Sequence, residues 1–387
     1  MRHTGRPARR PARLHRPLAL VLLAVLVLAL CAGLAAPARA SVAKGICSPQ
    51  LENEPADSTA RAGMVREISR GLGAHWVRIG VSWAALEPTR GTYSATELAR
   101  LDALVHDLRA AGVKIILTTC YVPAWATRSY WWTHPPAGFA EGPQPFYPIR
   151  DGALKDYARL GKFLARRFRG SVQALECGNE PNLWMFLYPQ RTTDDPFFAA
   201  RVYLHMLKAF HAGVASAHTG VRIVAGATAP VGLDDIYRTS PQRFARFLQQ
   251  AGAGRYFDVY SHHPYTPGGS INAAPGQPPN DPSHTVTLSN LRTLLRLFPN
   301  KPFYLTEYGY STQPSLMFGL VVSEGDQARY LKTAYGYAAR YPQVKLLVWY
   351  LVQDSKPASG PADLGVYCGL RRPDGTRKPA WYAFRRL

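Results

Sequence analysis

Beyond residue 40 the chain alternates two patterns. Short, almost continuous apolar runs are separated by longer stretches in which apolar residues recur every three or four positions. Seven runs read as strands: 75–83 (HWVRIGVSW), 114–121 (KIILTTCY), 172–180 (VQALECGNE), 222–229 (RIVAGATA), 257–265 (FDVYSHHPY), 302–309 (PFYLTEYG) and 345–352 (KLLVWYLV). A weaker run at 41–47 (SVAKGIC) makes an eighth. Between them Leu98, Leu101, Leu104, Val105 and Leu108 sit at helical spacing behind Ser94-x-x-Glu97, a capping-box pattern. Further helices are expected near 59–71, 151–169, 197–218, 240–251, 284–298 and 325–341. Strands apolar on both faces and separated by helices imply a parallel sheet covered on both sides. Eight such units match a closed (β/α)8 TIM barrel. An open doubly wound sheet is the alternative, but no G-x-G-x-x-G follows the first strand. The pattern predicts one α/β barrel domain over residues 41–387.

Two inserts break the rhythm, both after strand C-termini, where such barrels carry their sites. Residues 121–150 hold Trp125, Tyr130, Trp131, Trp132, Phe139, Phe146 and Tyr147, a density that argues for a ligand-facing wall. Residues 266–283 are rich in Pro and Gly and read equally well as a solvated loop.

Composition agrees with a large core: 387 residues, 47% hydrophobic and 18% charged. The first 40 residues stand apart. Six arginines precede the apolar run 18–30, and Ala38-Arg39-Ala40 closes it, the layout of a secretory signal cleaved before Ser41. A retained anchor is the alternative, the run being near the lower limit for spanning. Removing seven Arg and no acids lowers the formal charge from +21 to +14. The remaining cations are dispersed, with no nucleic-acid motif, so a basic, well-mixed surface is the preferred reading, and an acidic polysaccharide stays open as a neighbour or substrate. A secreted monomer without stable membrane insertion is expected.

Four cysteines remain after cleavage, none in C-x-x-C spacing. Cys47 ends the first strand and Cys368 follows the eighth. Barrel closure makes those strands neighbours, so a Cys47–Cys368 disulfide is expected, with buried thiols the alternative.

Acidic residues at the ends of apolar strands are costly unless function needs them. Glu180 ends strand four and Glu307 ends strand seven, so both should emerge on one face. Two facing carboxylates are what glycosidic hydrolysis requires. A structural ion pair with Arg78 is the competing reading. His262 and His263 should face opposite sides of their strand, and no metal-binding motif is present, so neither a metal nor a cofactor is expected.

Asn179-Glu180-Pro181 after strand four and Glu307 after strand seven resemble glycoside hydrolase clan A. Arg78-Ile79 with Ser82-Trp83, Glu87-Pro88, His263-Pro264-Tyr265 and Trp349 also match members of this clan in strand order. The strand-two and strand-four patterns resemble families 39 and 5. Tyr121-Val122-Pro123-Ala124-Trp125, where many family 5 cellulases place a histidine, tilts the resemblance toward family 39. The resemblance implies a retaining β-glycoside hydrolase acting on a polysaccharide or oligosaccharide. Glu180 would be the acid/base and Glu307 the nucleophile. Asn179 would hold the sugar 2-hydroxyl, Trp349 would form the sugar platform, and Arg78 and Tyr265 would flank Glu307. His263 is expected to hydrogen-bond near Glu307. Trp83, Trp125 and Trp184 are expected to line a groove for several sugars. A transglycosylase using the same site and a carbohydrate-binding barrel without turnover are the alternatives.

Overall fold

The computed structural model describes residues 1, 5, 42–268, 273–314, 320–356 and 365–387. The expected leader, residues 1–40, lies outside them save residues 1 and 5. Residues 40–387 form one compact unit. Its strands are β1 (Ala43–Cys47), β2 (Trp76–Ser82), β3 (Lys114–Cys120), β4 (Ala174–Cys177), β5 (Arg222–Thr228), β6 (Val259–His262), β7 (Phe303–Tyr308) and β8 (Val344–Tyr350). They pair in parallel in chain order, and β1 closes on β8 from Ala43↔Leu346 to Cys47↔Tyr350. This is the expected (β/α)8 barrel.

One main helix follows each strand: α1 (Thr59–Arg66), α2 (Ala95–Ala110), α3 (Leu154–Arg167), α4 (Phe198–Ala215), α5 (Pro241–Gln250), α6 (Arg292–Leu295), α7 (Glu324–Ala338) and α8 (Pro379–Arg385). Local chemistry starts them. Ser94 and Ser323 accept the backbone N–H three residues on, and Pro241 and Pro379 sit in first turns where no N–H is needed. In α2, Glu97 does not complete the capping box; its carboxylate takes Arg100 instead. Helices α3 and α4 pack so closely that a Cβ on Gly213 would lie 1.8 Å from the Ala158 carbonyl oxygen. Lys44 on β1 ties the barrel wall to α8 by donating to the carbonyls of Phe384 (3.1 Å) and Arg385 (3.2 Å), where a cation meets the negative end of the helix.

The helix expected over 284–298 shortens to α6. Thr285 instead forms an antiparallel bridge with Val231, just beyond β5, where Val286 N–H donates to Pro230 O (2.8 Å) and Gly232 N–H to His284 O (3.1 Å). Three β-branched residues in succession, Thr285-Val286-Thr287, suit that conformation better than a helix.

The period-two alternation of the strands separates two cores. Ile79, Leu117, Leu175, Ile223, Leu305, Leu347 and Trp349 belong to the core shared with the helices. Trp76, Ile116, Ala174, Val224, Val259, Tyr304 and Leu346 fill the barrel as an apolar floor. Two residues further along five of those strands come Arg78, Thr118, Glu176, Ser261 and Thr306, all buried. The barrel interior therefore changes from apolar to polar within one pleat.

The expected Cys47–Cys368 disulfide is not formed; Cys47, Cys120, Cys177 and Cys368 are all thiols. Cys47 turns into the barrel toward the Thr306 carbonyl (3.9 Å), while Cys368 packs beside Gly309. Sharing one end of the barrel does not aim the two sulfurs at each other. Burial pushes all four thiols up, which makes them unreactive in the folded protein. A thiol reagent should therefore modify little of the native protein, and all four cysteines once it is denatured without reductant. Mass spectrometry that finds a Cys47–Cys368 peptide would reverse the correction.

Candidate active site

The site is built upward from Glu176, a residue missed in the sequence because its strand reads as apolar. Its carboxylate is fully buried and takes four donors: Arg78 Nε and Thr118 Oγ1 on Oε2, both at 2.7 Å, and Ser261 Oγ (2.7 Å) and Thr306 Oγ1 (3.0 Å) on Oε1. Burial alone would push it up. The charge of Arg78 and the hydroxyl donors Ser261 and Thr118 outweigh that and hold it below its usual carboxylate value. Arg78 is thereby fixed, and the rest of its guanidinium points onward. Nη1 reaches Glu307 Oε1 at 2.6 Å and Nη2 reaches Asn179 Oδ1 at 2.6 Å.

Glu307, at the end of β7, receives Tyr265 Oη on its other oxygen at 3.0 Å. A cation and a phenol both donate to it, an environment made for a carboxylate. Glu180 sits differently. After β4 the chain turns through Gly178 (φ 80°) and carries Glu180 at φ 37°, where its N–H donates to Ala227 O (2.9 Å) on β5. A non-glycine residue at positive φ is strained, and here the turn aims the acid into the cleft. Asn182 holds that turn by accepting Ala229 N–H (2.8 Å) and donating to Thr239 O (2.9 Å). Burial pushes Glu180 up to about 7, with the charge of Arg78 opposing. His263 Nδ1 lies 2.9 Å from Glu180 Oε1 and 3.8 Å from Glu307 Oε2. One oxygen of each glutamate and one nitrogen of His263 all lie within 4.8 Å of one another. That triad has the donor count of a cation site, but Arg78 already places a positive charge against Glu307 and opposes a second.

The structure brings Glu180, Glu307, Asn179, Arg78, Tyr265 and His263 together, with His263 bonded to Glu180 and Thr306 and 3.8 Å from Glu307. His262 faces away, between Thr228 Oγ1 and Val286 O, both at 2.9 Å. The tryptophans do not join them. Trp349 is wholly buried, its indole N–H on Cys368 O (2.9 Å), because it points out of the barrel toward the helices. Its neighbour Tyr350 points inward and lines the cleft instead. Trp83 is buried, donates to Glu87 Oε2 (2.8 Å), and packs edge-on against Trp125. Trp125 donates to Glu87 O (2.9 Å), and Trp184 packs with Phe139 and Phe146. The aromatic insert mostly stabilises itself. Only Tyr121 at its start approaches, stacked on Phe186, a residue of the cleft wall.

The cleft holds about 320 Å³. Beside Glu180 its wall is apolar, from Leu183, Met185, Phe186 and Val231; beside Glu307 it is hydroxylated, from Tyr265, Tyr310 and Tyr350. Among the described lining residues Glu180 and Glu307 are the charged ones, and residues 269–272, 315–319 and 357–364 contain no Lys or Arg.

The barrel has known counterparts. A family 39 glycoside hydrolase from the gut symbiont Bacteroides cellulosilyticus WH2 superposes with a TM-score of 0.62 at 20% identity, over 90% of this chain and 64% of that one. A GH5_18 protein from Streptomyces cattleya gives 0.61 at 16% identity, over 89% and 79% of the two chains. The beta-galactosidase of the psychrophilic Marinomonas ef1 gives 0.57 at 14%, over 89% and 58%. This chain shares the barrel fold of these proteins. The resemblance read from the sequence holds at that level. The glycoside hydrolase family 42 model, beta-galactosidase, matches residues 60–135, and no curated protein matches the sequence. The chain spans 64% of the length of the family 39 enzyme.

Glu176 carries a stability prediction. Glu176→Gln removes the buried countercharge of Arg78 while keeping the shape, and should cost about 3–5 kcal/mol in urea unfolding. Because the native carboxyl is held low, its contribution is complete above the ordinary carboxylate value and is lost as pH falls through the native one. The gap between wild type and variant should therefore narrow in acid; a gap independent of pH would contradict the charged assignment.

Proposed function

We propose that the protein is an exported retaining glycoside hydrolase acting on neutral oligosaccharide or polysaccharide chains. One observation carries the reading: Glu180 and Glu307 face each other across the cleft with an oxygen of each within 4.8 Å, one buried beside His263 and the other accepting from Arg78 and Tyr265. Retaining hydrolysis uses carboxyl groups about 5–5.5 Å apart, and inversion needs a wider gap that admits a water. Burial makes Glu180 an acid that keeps its proton near neutrality, whereas Arg78 and Tyr265 hold Glu307 as the nucleophile. In the first step Glu180 protonates the glycosidic oxygen as Glu307 bonds the anomeric carbon. Glu307 has then lost its charge, Glu180 is ionised, and it draws a proton from the water that releases the sugar. Asn179, fixed by Arg78 through Oδ1, keeps its amide donors for the sugar 2-hydroxyl. Transglycosylation differs only in the acceptor.

The absence of Lys and Arg from the described lining supports neutral rather than acidic sugars, since Arg78 is spent on three partners. Export rests on the basic, then apolar, leader of residues 1–40. Among the described residues no helix is long and apolar enough to cross a membrane.

Proton NMR of the first-formed product should show the substrate's anomeric configuration; inversion would overturn the assignment. Glu307→Ala should abolish turnover of every substrate. Glu180→Ala should retain activity on activated aryl glycosides and form a glycosyl azide with azide. Because Glu180 must be protonated, kcat/KM should fall as pH rises through about 7. Neutral glycosides should be turned over at least tenfold faster than the matching uronides, roughly the value of one lost charge-assisted contact; equal rates would reject the neutral-sugar reading.

A further inference from the structure

We propose that His263 keeps Glu180 protonated between turnovers by meeting it with a bare ring nitrogen, and that a relay from Glu176 through Thr306 selects that tautomer. The inference rests on reading Glu180 as the general acid. The relay begins at Glu176, which as a buried carboxylate can only accept. Thr306 Oγ1 therefore gives its single proton to Glu176 Oε1, at 3.0 Å. The same Thr306 oxygen lies 3.1 Å from His263 Nε2 and has only lone pairs left for it. Nε2 must carry a hydrogen.

His263 is neutral, since burial pushes it down to about 4, so it holds one ring proton and that proton is on Nε2. Nδ1 is left as an acceptor, 2.9 Å from Glu180 Oε1. Two lone pairs at that distance repel, whereas a carboxyl proton between them makes a hydrogen bond. A hydrogen bond made only by the neutral acid disfavours its ionisation, the same direction in which burial acts on Glu180.

The charges around the ring are consistent with a neutral imidazole. Burial opposes an imidazolium, Glu307 and Glu176 favour it, and burial together with the charge of Arg78 outweighs the two carboxylates. His262, next in the chain, is itself neutral, pushed down to about 3 by burial. Tyr265 commits its hydroxyl to Glu307.

During turnover the Glu180 proton passes to the glycosidic oxygen while the bond from that oxygen to the anomeric carbon breaks and the bond to Glu307 forms. Glu180, now a carboxylate, faces the Nδ1 lone pair and is driven to take a proton back. The second step supplies it from the water whose oxygen replaces Glu307. His263 neither gains nor loses a proton, so it is a positioning residue, and Thr306 acts through it.

Thr306 gives a clean test because it is wholly buried and its hydroxyl bonds to the two relay partners, Glu176 and His263. Thr306→Val keeps the shape but removes the acceptor for Nε2–H, freeing the ring to carry its proton on Nδ1 and donate to an ionised Glu180. Thr306→Ser keeps the relay. With 15N-histidine labelling, and His263 assigned by loss of its signals in His263→Asn, wild type and Thr306→Ser at pH 7 should show protonated Nε2 and bare Nδ1. Thr306→Val should show the proton on Nδ1. The alkaline limb of kcat/KM should move down by about one pH unit in Thr306→Val and stay in place in Thr306→Ser. A resting wild-type ring protonated on Nδ1, or on both nitrogens, overturns the proposal, as does an unmoved limb in a folded Thr306→Val. If Thr306→Val does not fold, the wild-type and Thr306→Ser spectra decide alone. Should no glycoside be turned over, the glycosidase reading fails while the spectra still decide the tautomer.

Discussion

The arrangement of this barrel depends on one buried ion pair, Arg78 with Glu176. A carboxylate at the barrel's centre is tolerable only because four donors from four different strands converge on it. The pair then serves as an anchor. With Nε held by Glu176, the guanidinium has a fixed plane and its two remaining nitrogens have fixed targets, Glu307 and Asn179. Positions on β2, β4 and β7 are thus coupled by a planar fork, which a flexible lysine could not provide.

That anchor also separates the two glutamates chemically. Glu307 receives Arg78 directly, while Glu180 accepts no arginine and sits between apolar wall residues and the neutral face of His263. The difference arises from backbone placement. Glu307 lies within β7, where the register against β8 shifts, and Glu180 lies beyond the end of β4 on a turn with positive φ, tied back to β5. The same residue type meets different surroundings in the two places: burial favours the neutral form of Glu180, while Glu307 accepts from a guanidinium and a phenol.

The aromatic insert shows how a composition signal can mislead. Seven aromatic residues between Trp125 and Tyr147 suggested a sugar-stacking wall, yet edge-to-face contacts tie most of them to one another and to Trp83 and Trp184. A loop of that length outside the barrel core needs its own packing before it can offer rings to a ligand. The cleft wall comes instead from segments after β4, β5, β6, β7 and β8.

The eight strands, their order, and Glu180, Glu307, Asn179, Arg78, Tyr265 and His263 as a group were legible in the sequence. Apolar runs and helical spacing are local signals, and a polar residue ending an apolar run marks the face where the runs emerge. What the sequence could not settle turns on direction. Trp349 and Tyr350 are adjacent on one strand, and only the closed barrel decides that the tyrosine faces the cleft and the tryptophan the helices. Glu176 lay hidden because its four partners come from strands far apart in the chain. Cys47 and Cys368 share an end of the barrel, but side-chain direction, not proximity of strands, decides whether sulfurs meet. The sequence by itself determined which elements form and which end carries the chemistry. Tertiary structure decided which side chain of each pair faces inward and which proton each carboxyl keeps, because both follow from burial and from partners contributed by other strands.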